Sequence, residues 1–274
     1  MQLIADLKAA FARSGRNRTT FLAAGVAFYG FLALVPTIAA VVIGYGLFAD
    51  RADAVVHAEA LTRLLPPAAA EIVTDQMRKI AAIDGNKTAL GFVVALGTVL
   101  YSASKGGKAV LVALNIIEGV EESRGFVRQV WTGLGITLIG IAGVLVALAA
   151  ISVLGYAEAM IPGLPDEFYA LMRVGLWVVL VIGAIAGLGW LYARAPNGPV
   201  PPLSDTIPGA ILAAVILLGA TLGFAIYVAQ FGNYNATYGA LGAVVILQLW
   251  IYLSAYAVLF GDEYNMVRAE RGAG

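Results

Sequence analysis

From Thr206 to Gly261 the chain runs for 56 residues without a single Lys, Arg, Asp, Glu or His. A wetted surface cannot be built from such a stretch, because soluble domains draw about a quarter of their residues from the charged set. The run is long enough to cross a bilayer twice, since a hydrocarbon core about 30 Å thick takes a helix of roughly 20 apolar residues. The remainder agrees: of 274 residues, 61% are hydrophobic and only 12% charged, with a mean hydropathy of +0.87.

In lipid every backbone polar group has to be satisfied internally, which leaves helices and closed barrels as spanning structures. The apolar runs are too continuous for alternating barrel strands. The pattern therefore predicts an all-α, polytopic membrane bundle with six transmembrane helices, near 21–49, 87–104, 130–156, 171–193, 206–230 and 238–261. Lys and Arg mark the cytoplasmic side of such a bundle. Under the six-span topology eleven of the 17 basic residues share one side, including Lys8, Arg13, Lys105, Lys108, Arg124, Arg194 and Arg268. Both termini are thus expected in the cytoplasm, with 1–274 forming a single membrane domain of the bacterial inner membrane.

Three segments flank the spans. Residues 1–20 are too polar for a cleavable signal peptide and predict a cytoplasmic amphipathic helix, with Leu3, Ile4, Leu7 and Phe11 against the membrane. Residues 50–86 are divided by Pro66-Pro67 into two stretches of helical spacing, which predicts an extracytoplasmic helical cap between spans one and two. The cap either packs over the bundle or serves gating and partner binding. The third segment, 105–129, follows a short second span. Gly106-Gly107 predict a break there, followed by a cytoplasmic amphipathic helix through Ala109–Glu122, with Lys105 and Lys108 reaching the headgroup level. A helix unbroken to Glu118 is the alternative. Gly183 and Gly187 form a small-xxx-small pair in span four, and Gly133, Gly135, Gly140 and Gly143 line span three. Such residues let helix backbones approach closely, and they are assigned to contacts within the chain rather than to a homo-oligomer, which nothing in the sequence indicates.

Several chemistries are excluded by composition. There is no Cys, and His57 is the only histidine, so zinc or thiol chemistry has no ligand set and no metal or cofactor is expected. Zero net charge gives no footprint for nucleic acid. Ser102 and Ser104 have no neighbouring base to activate them. The pairs Glu121-Glu122 and Asp262-Glu263 fall at expected helix ends and are assigned to solvated caps or to partners of nearby basic residues. No expected span carries an ionisable group near its centre, which argues against coupled ion transport through buried carboxylates. An enzyme is not expected.

Two neutral features stand out instead. Pro36 interrupts span one, freeing the carbonyl of Leu32, with Tyr29 seven residues earlier on roughly the same face. The stretch FGNYNATYGALG at 231–242 then divides the uncharged run into two spans. Asn233 and Asn235 suit a tight helix–helix turn, while Tyr234 and Tyr238 suit the headgroup boundary. The segment is either a hairpin tip or, with Tyr29 and Pro36, the neutral rim of a ligand cavity. In that second reading Tyr234, Asn235, Tyr238, Gly239 and Gly242 would admit a lipid or other amphiphile. Between spans four and five, Pro196, Pro199, Pro201 and Pro202 make a stiff connection, with Ser204 or Asp205 suited to cap the next helix.

The chain resembles the YihY/BrkB family of bacterial inner-membrane proteins over nearly its full length. The resemblance rests on four ordered motifs: AAGVAFYGFLALVP with Tyr29 and Pro36; LNIIEGVEESRGF with Asn115, Glu122, Arg124 and Phe126; LYARAPN with the following VPP and PGA; and YNATYGALGAVVILQLWIYLSA with the following GDEYN. The last includes Tyr234, Asn235, Tyr238, Gly239, Gly242, Glu263 and Asn265. Tyr101 departs from a frequent tryptophan and Asp262 from a usual small residue. The resemblance implies six spans with cytoplasmic ends, a cytoplasmic motif formed by Asn115, Glu122, Arg124, Glu263 and Asn265, and links to virulence and to envelope lipid handling. It also carries a legacy ribonuclease BN label regarded as misassigned. The expected function is transport or handling of an amphiphilic envelope component, with membrane lipids as partners. The alternative is a non-transporting scaffold that recruits partners through the 50–86 cap and the cytoplasmic helices.

Overall fold

The structure is a computed structural model that describes residues 2–46, 89–160, 165–230 and 240–273. Every regular element among them is an α-helix: α1 (Gln2–Arg16), α2 (Thr19–Gly46), α3 (Ala89–Glu118), α4 (Phe126–Met160), α5 (Asp166–Arg194), α6 (Leu203–Gln230) and α7 (Ala240–Ala273). The expected cap at 50–86 and the turn at 231–239 lie outside the described residues.

Helices α2 to α7 fall on the six apolar stretches of the sequence. Four contain a segment long and apolar enough to cross a membrane: Phe126–Gly143, Glu167–Arg194, Leu203–Phe224 and Val244–Gly272. A shorter apolar segment, Thr19–Leu34, belongs to α2. Each helix from α2 onward packs on the next, and α7 closes the ring by packing on α2 while also touching α3. Helix α1 lies across α7 and the start of α2.

The second span differs from its expected form. Helix α3 continues through Gly106-Gly107 to Glu118, as the alternative had it, and 105–118 is the inner half of one helix. The glycines mark close approach rather than a break. A Cβ on Gly107 would lie 1.9 Å from the carbonyl oxygen of Gly133 on α4, and one on Gly106 would lie 3.2 Å from Ala33 Cβ on α2. Leu114 and Ile117 on this half are buried in the main core, and Leu111 is buried as well. The helix stops at Gly119, whose φ of 69° suits the left-handed position that glycine enters without a Cβ penalty. Gly119 N–H donates to Ile116 O at 3.2 Å and Val120 N–H to Asn115 O at 2.9 Å, the paired bonds that close a helix C-terminus.

Three further expectations are corrected. Helix α7 does not end near Gly261 but runs to Ala273, so Asp262-Glu263 lies inside a helix and is buried, not a solvated cap. The partner half of that assignment holds for Glu263, which meets Arg13. Helix α6 begins at Leu203, so Ser204 and Asp205 sit in its first turn; Asp205 there faces the positive end of the helix dipole. Finally, a Cβ on Gly183 or Gly187 would meet nothing within 4 Å, so this pair makes no close contact within the described chain. Of the span-three glycines, only Gly133 lies at a tight crossing.

Helix α1 has its apolar side outward. Leu3, Ile4 and Phe11 are exposed, whereas Asp6, Ala10 and Ser14 are buried. Leu7 joins Ala10 in a small core with Phe260 and Tyr264 of α7.

Candidate functional site

At one end of the ring, here called the base, four elements converge on polar side chains. The polar stripe of α1 puts Arg13 beside Glu263 of α7, with Arg13 Nε 3.0 Å from Glu263 Oε2 as an ion pair without the alignment of a hydrogen bond. Arg13 also donates to Ile117 O at 2.9 Å, capping α3, and pairs with Glu270. Asn17 Nδ2 donates to both Glu263 oxygens, at 3.0 and 3.1 Å, and Thr19 Oγ1 donates to Oε1 at 2.7 Å. A buried carboxylate is costly unless its lone pairs are taken up, and at Glu263 they are.

A second network joins the α3–α4 connection to the end of α5. Asn115 Nδ2 donates to Glu122 Oε2 at 2.9 Å, and Arg124 binds both Glu122 oxygens at 2.7 Å. Arg124 reaches Ala195 O at 3.0 Å, and Asn197 N–H donates to Asn115 Oδ1 at 2.9 Å. These bonds make the loop a fixed part of the base. The hydrogen bond from Arg124 holds the Glu122 carboxyl below the usual carboxylate range. Glu118, half-buried nearby, is pushed up to about 7 by burial.

The third cluster sits where α6 crosses α7. A Cβ on Gly209 would lie 2.1 Å from Gly261 O, so the two backbones touch. Asn265 spans the crossing, accepting from Gly209 N–H at 2.7 Å and donating to Thr206 O at 3.1 Å. Tyr192 of α5 donates to Val258 O at 2.6 Å. Beside it Asp262 is fully buried, and its Oδ2 has no hydrogen-bond partner among the described residues.

Thus Asn115, Glu122 and Arg124 form one unit, while Glu263 and Asn265 occupy two others at the same end. Asn17, Thr19 and Glu118 were not singled out by sequence reasoning, while Arg13 entered only as a topology charge and Asp262 only as a helix-end carboxylate. A signal was present for Arg13, because Asp6, Ala10 and Arg13 recur at helical spacing beside the apolar stripe of α1.

Of the expected ligand-binding residues, Tyr234, Asn235, Tyr238 and Gly239 lie outside the described residues, and Gly242 falls in the first turn of α7. Pro36 is partly buried within an unbroken α2, and Tyr29 is half-exposed with its ring edge-on to Phe28, 5.3 Å between centroids. The membrane half of the structure contains further neutral polar groups. Thr37 Oγ1 on α2 and Gln248 Oε1 and Ser254 Oγ on α7 are buried without a hydrogen-bond partner among the described residues. No described group of three or more His, Cys, Asp or Glu is placed to hold a metal.

A ring of apolar helices with outward hydrophobic faces defines an integral, multi-pass membrane protein. The family described as Virulence factor BrkB matches residues 10–274, and the chain belongs to it. The putative ribonuclease-like protein YfkH of Bacillus subtilis is 30% identical over 191 residues, covering 69% of this chain and 68% of that protein. UPF0761 membrane protein PSHAa0171 of Pseudoalteromonas translucida is 28% identical over 254 residues, covering 90% and 80%. UPF0761 membrane protein VV0203 of Vibrio vulnificus is 27% identical over 273 residues, covering 98% and 83%. No solved structure matches the chain.

Proposed function

We propose that this protein crosses the bacterial inner membrane six times, with its base in the cytoplasm, and moves or holds an amphiphilic envelope component without covalent chemistry. The observation that carries this reading is the trio of unpartnered neutral polar atoms on Thr37, Gln248 and Ser254. A buried polar group left unpaired costs about 1–3 kcal/mol, and such a cost persists where a ligand supplies the missing bonds. All three are uncharged, which suits hydroxyl, ester or amide groups better than an ion. Pro36 adds the carbonyl of Leu32, which lacks its usual amide donor. Tyr29 then lines the same path, and Tyr234, Asn235, Tyr238, Gly239 and Gly242 are assigned to its outer rim. The ribonuclease-like name belongs to the Bacillus relative; no nuclease chemistry is assigned to this chain.

The test is a pair of variants measured in two ways. Thr37→Val and Gln248→Leu remove an unpaired polar group, so each raises the unfolding temperature. In proteoliposomes holding a fluorescent phosphatidylethanolamine, the wild type makes more of the probe accessible to an external quencher, and both variants lose this. If wild-type protein neither moves the probe nor retains it through purification, the amphiphile reading fails and the scaffold role stands in its place.

A further inference from the structure

On the outer side of α3 and α4, away from the buried polar trio, two ammonium groups bracket a pair of aromatic rings. Lys105 Nζ lies 5.2 Å from the centre of the Tyr101 ring, the Tyr101 and Phe126 rings are 5.9 Å apart, and Lys108 Nζ lies 5.7 Å from the Phe126 ring. Tyr101, Lys105 and Phe126 are exposed, as is Trp131 one turn further along α4. No described carboxylate pairs with either lysine. The arrangement is held from below by the backbone contact of Gly107 with Gly133, and Gly107 N–H and Ala103 O both bond Thr137 Oγ1, at 2.9 and 3.2 Å.

A lysine facing hydrocarbon is costly and takes its ammonium to the interface. Aromatic rings with one wet edge belong at the same level. The four side chains therefore mark the headgroup boundary, and Phe126 is also the first residue of an apolar segment that continues to Gly143. Beyond it Leu138, Ile139 and Val146 stand exposed along α4. Two cations without a carboxylate partner among the described residues, beside a helix with an exposed apolar face, complement a molecule with an anionic head and a hydrocarbon tail.

We propose that Tyr101, Lys105, Lys108 and Phe126 form a binding site for an anionic phospholipid. Its phosphate bridges the two ammonium groups, and its acyl chain lies on the exposed face of α4. The aromatic pair keeps the lysines from splaying, since a cation over a ring face is attracted to it. The site deepens the amphiphile reading by naming the charge of the lipid, and it rests on that reading only for the membrane placement of α4.

The experiment counts phospholipid retained by the purified full chain, by native mass spectrometry, after exchange with equal phosphatidylglycerol and phosphatidylcholine. Wild type retains phosphatidylglycerol preferentially, and the preference falls as salt is raised. Lys105→Gln with Lys108→Gln loses roughly thirtyfold in that preference, from two surface cations. The charge-retaining Lys105→Arg with Lys108→Arg keeps it, and Lys8→Gln on α1 leaves it unchanged. Equal retention of the two lipids by wild type, or an unchanged preference in the double glutamine variant, overturns the site. Displacement of phosphatidylglycerol by an equal concentration of inorganic phosphate also overturns it, because the chains would then contribute nothing. Retention is counted without any lipid movement, so its failure is distinct from a failure of the transfer assay.

Discussion

The base of the ring and the α4–α5 wall solve opposite problems with the same composition. At the base, charged and amide side chains are buried, and Glu263 alone accepts from Asn17 and Thr19 while paired with Arg13. On the wall, Val174, Trp177, Val178, Val179 and Ile182 stand exposed on α5, and glycines 183 and 187 have open space beside them. A soluble protein would have the reverse distribution. With lipid as solvent, hydrophobicity gives no drive to bring helices together, so packing and hydrogen bonds must do so. The base is where those bonds are concentrated, and the wall is left to meet the acyl chains.

The sharpest way to break the contrast is Glu263→Ala. Removing one member of a buried ion pair costs about 3–5 kcal/mol, and Arg13 would be left facing Asn17 across an empty site. Thermal unfolding in detergent should show this loss, and pairing Arg13→Met with Glu263→Met should recover part of it, since apolar replacement of a whole buried pair is tolerated. A base that kept its stability after the single change would not be the clamp described here.

The middle effect is pH dependence. Burial raises the Glu118 carboxyl from 4.5 to about 7, so its neutral form is favoured in the folded state. The folded state then binds more protons than the unfolded one between these values, and stability falls as pH rises through that window. The contribution is fully present below 4.5 and lost above about 7. Glu118→Gln should flatten the unfolding-temperature profile over that range, and an unchanged slope would place the titration elsewhere. The smallest effect belongs to the wall: Val179→Ala, touching only the surrounding medium, should shift stability by no more than about 0.5 kcal/mol.

Much of the wall was legible from hydrophobicity alone, because a helix facing lipid needs little beyond length and an absence of charge. The base was not. Gly106-Gly107 looked like a break, since a glycine pair weakens a helix, yet α2 and α4 fill the space where side chains would be. Asp262-Glu263 looked like a helix end because charge normally closes a span. The burial of Glu263 depends on Arg13, Asn17 and Thr19, some 250 positions earlier, and local pattern has no access to such pairing. The motif with Asn115, Glu122 and Arg124 was found through resemblance, but its geometry as a bridge to Ala195 and Asn197 emerged only in three dimensions. The segment 231–239, expected as a turn or a ligand rim, lies outside the described residues.

The polar side of α1 has a consequence for the order of assembly. Arg13, Asn17 and Thr19 are made before the described spans are complete, whereas the carboxylate that satisfies them is on α7, with five described helices in between. Asp6 meets its partner Arg271 later still. Throughout insertion the leading segment therefore carries unmet hydrogen-bond donors, and it can lock only after the ring has closed. Docking of the first helix thus reports that the rest has been built correctly, so a misinserted chain would present a loose, protease-sensitive leader.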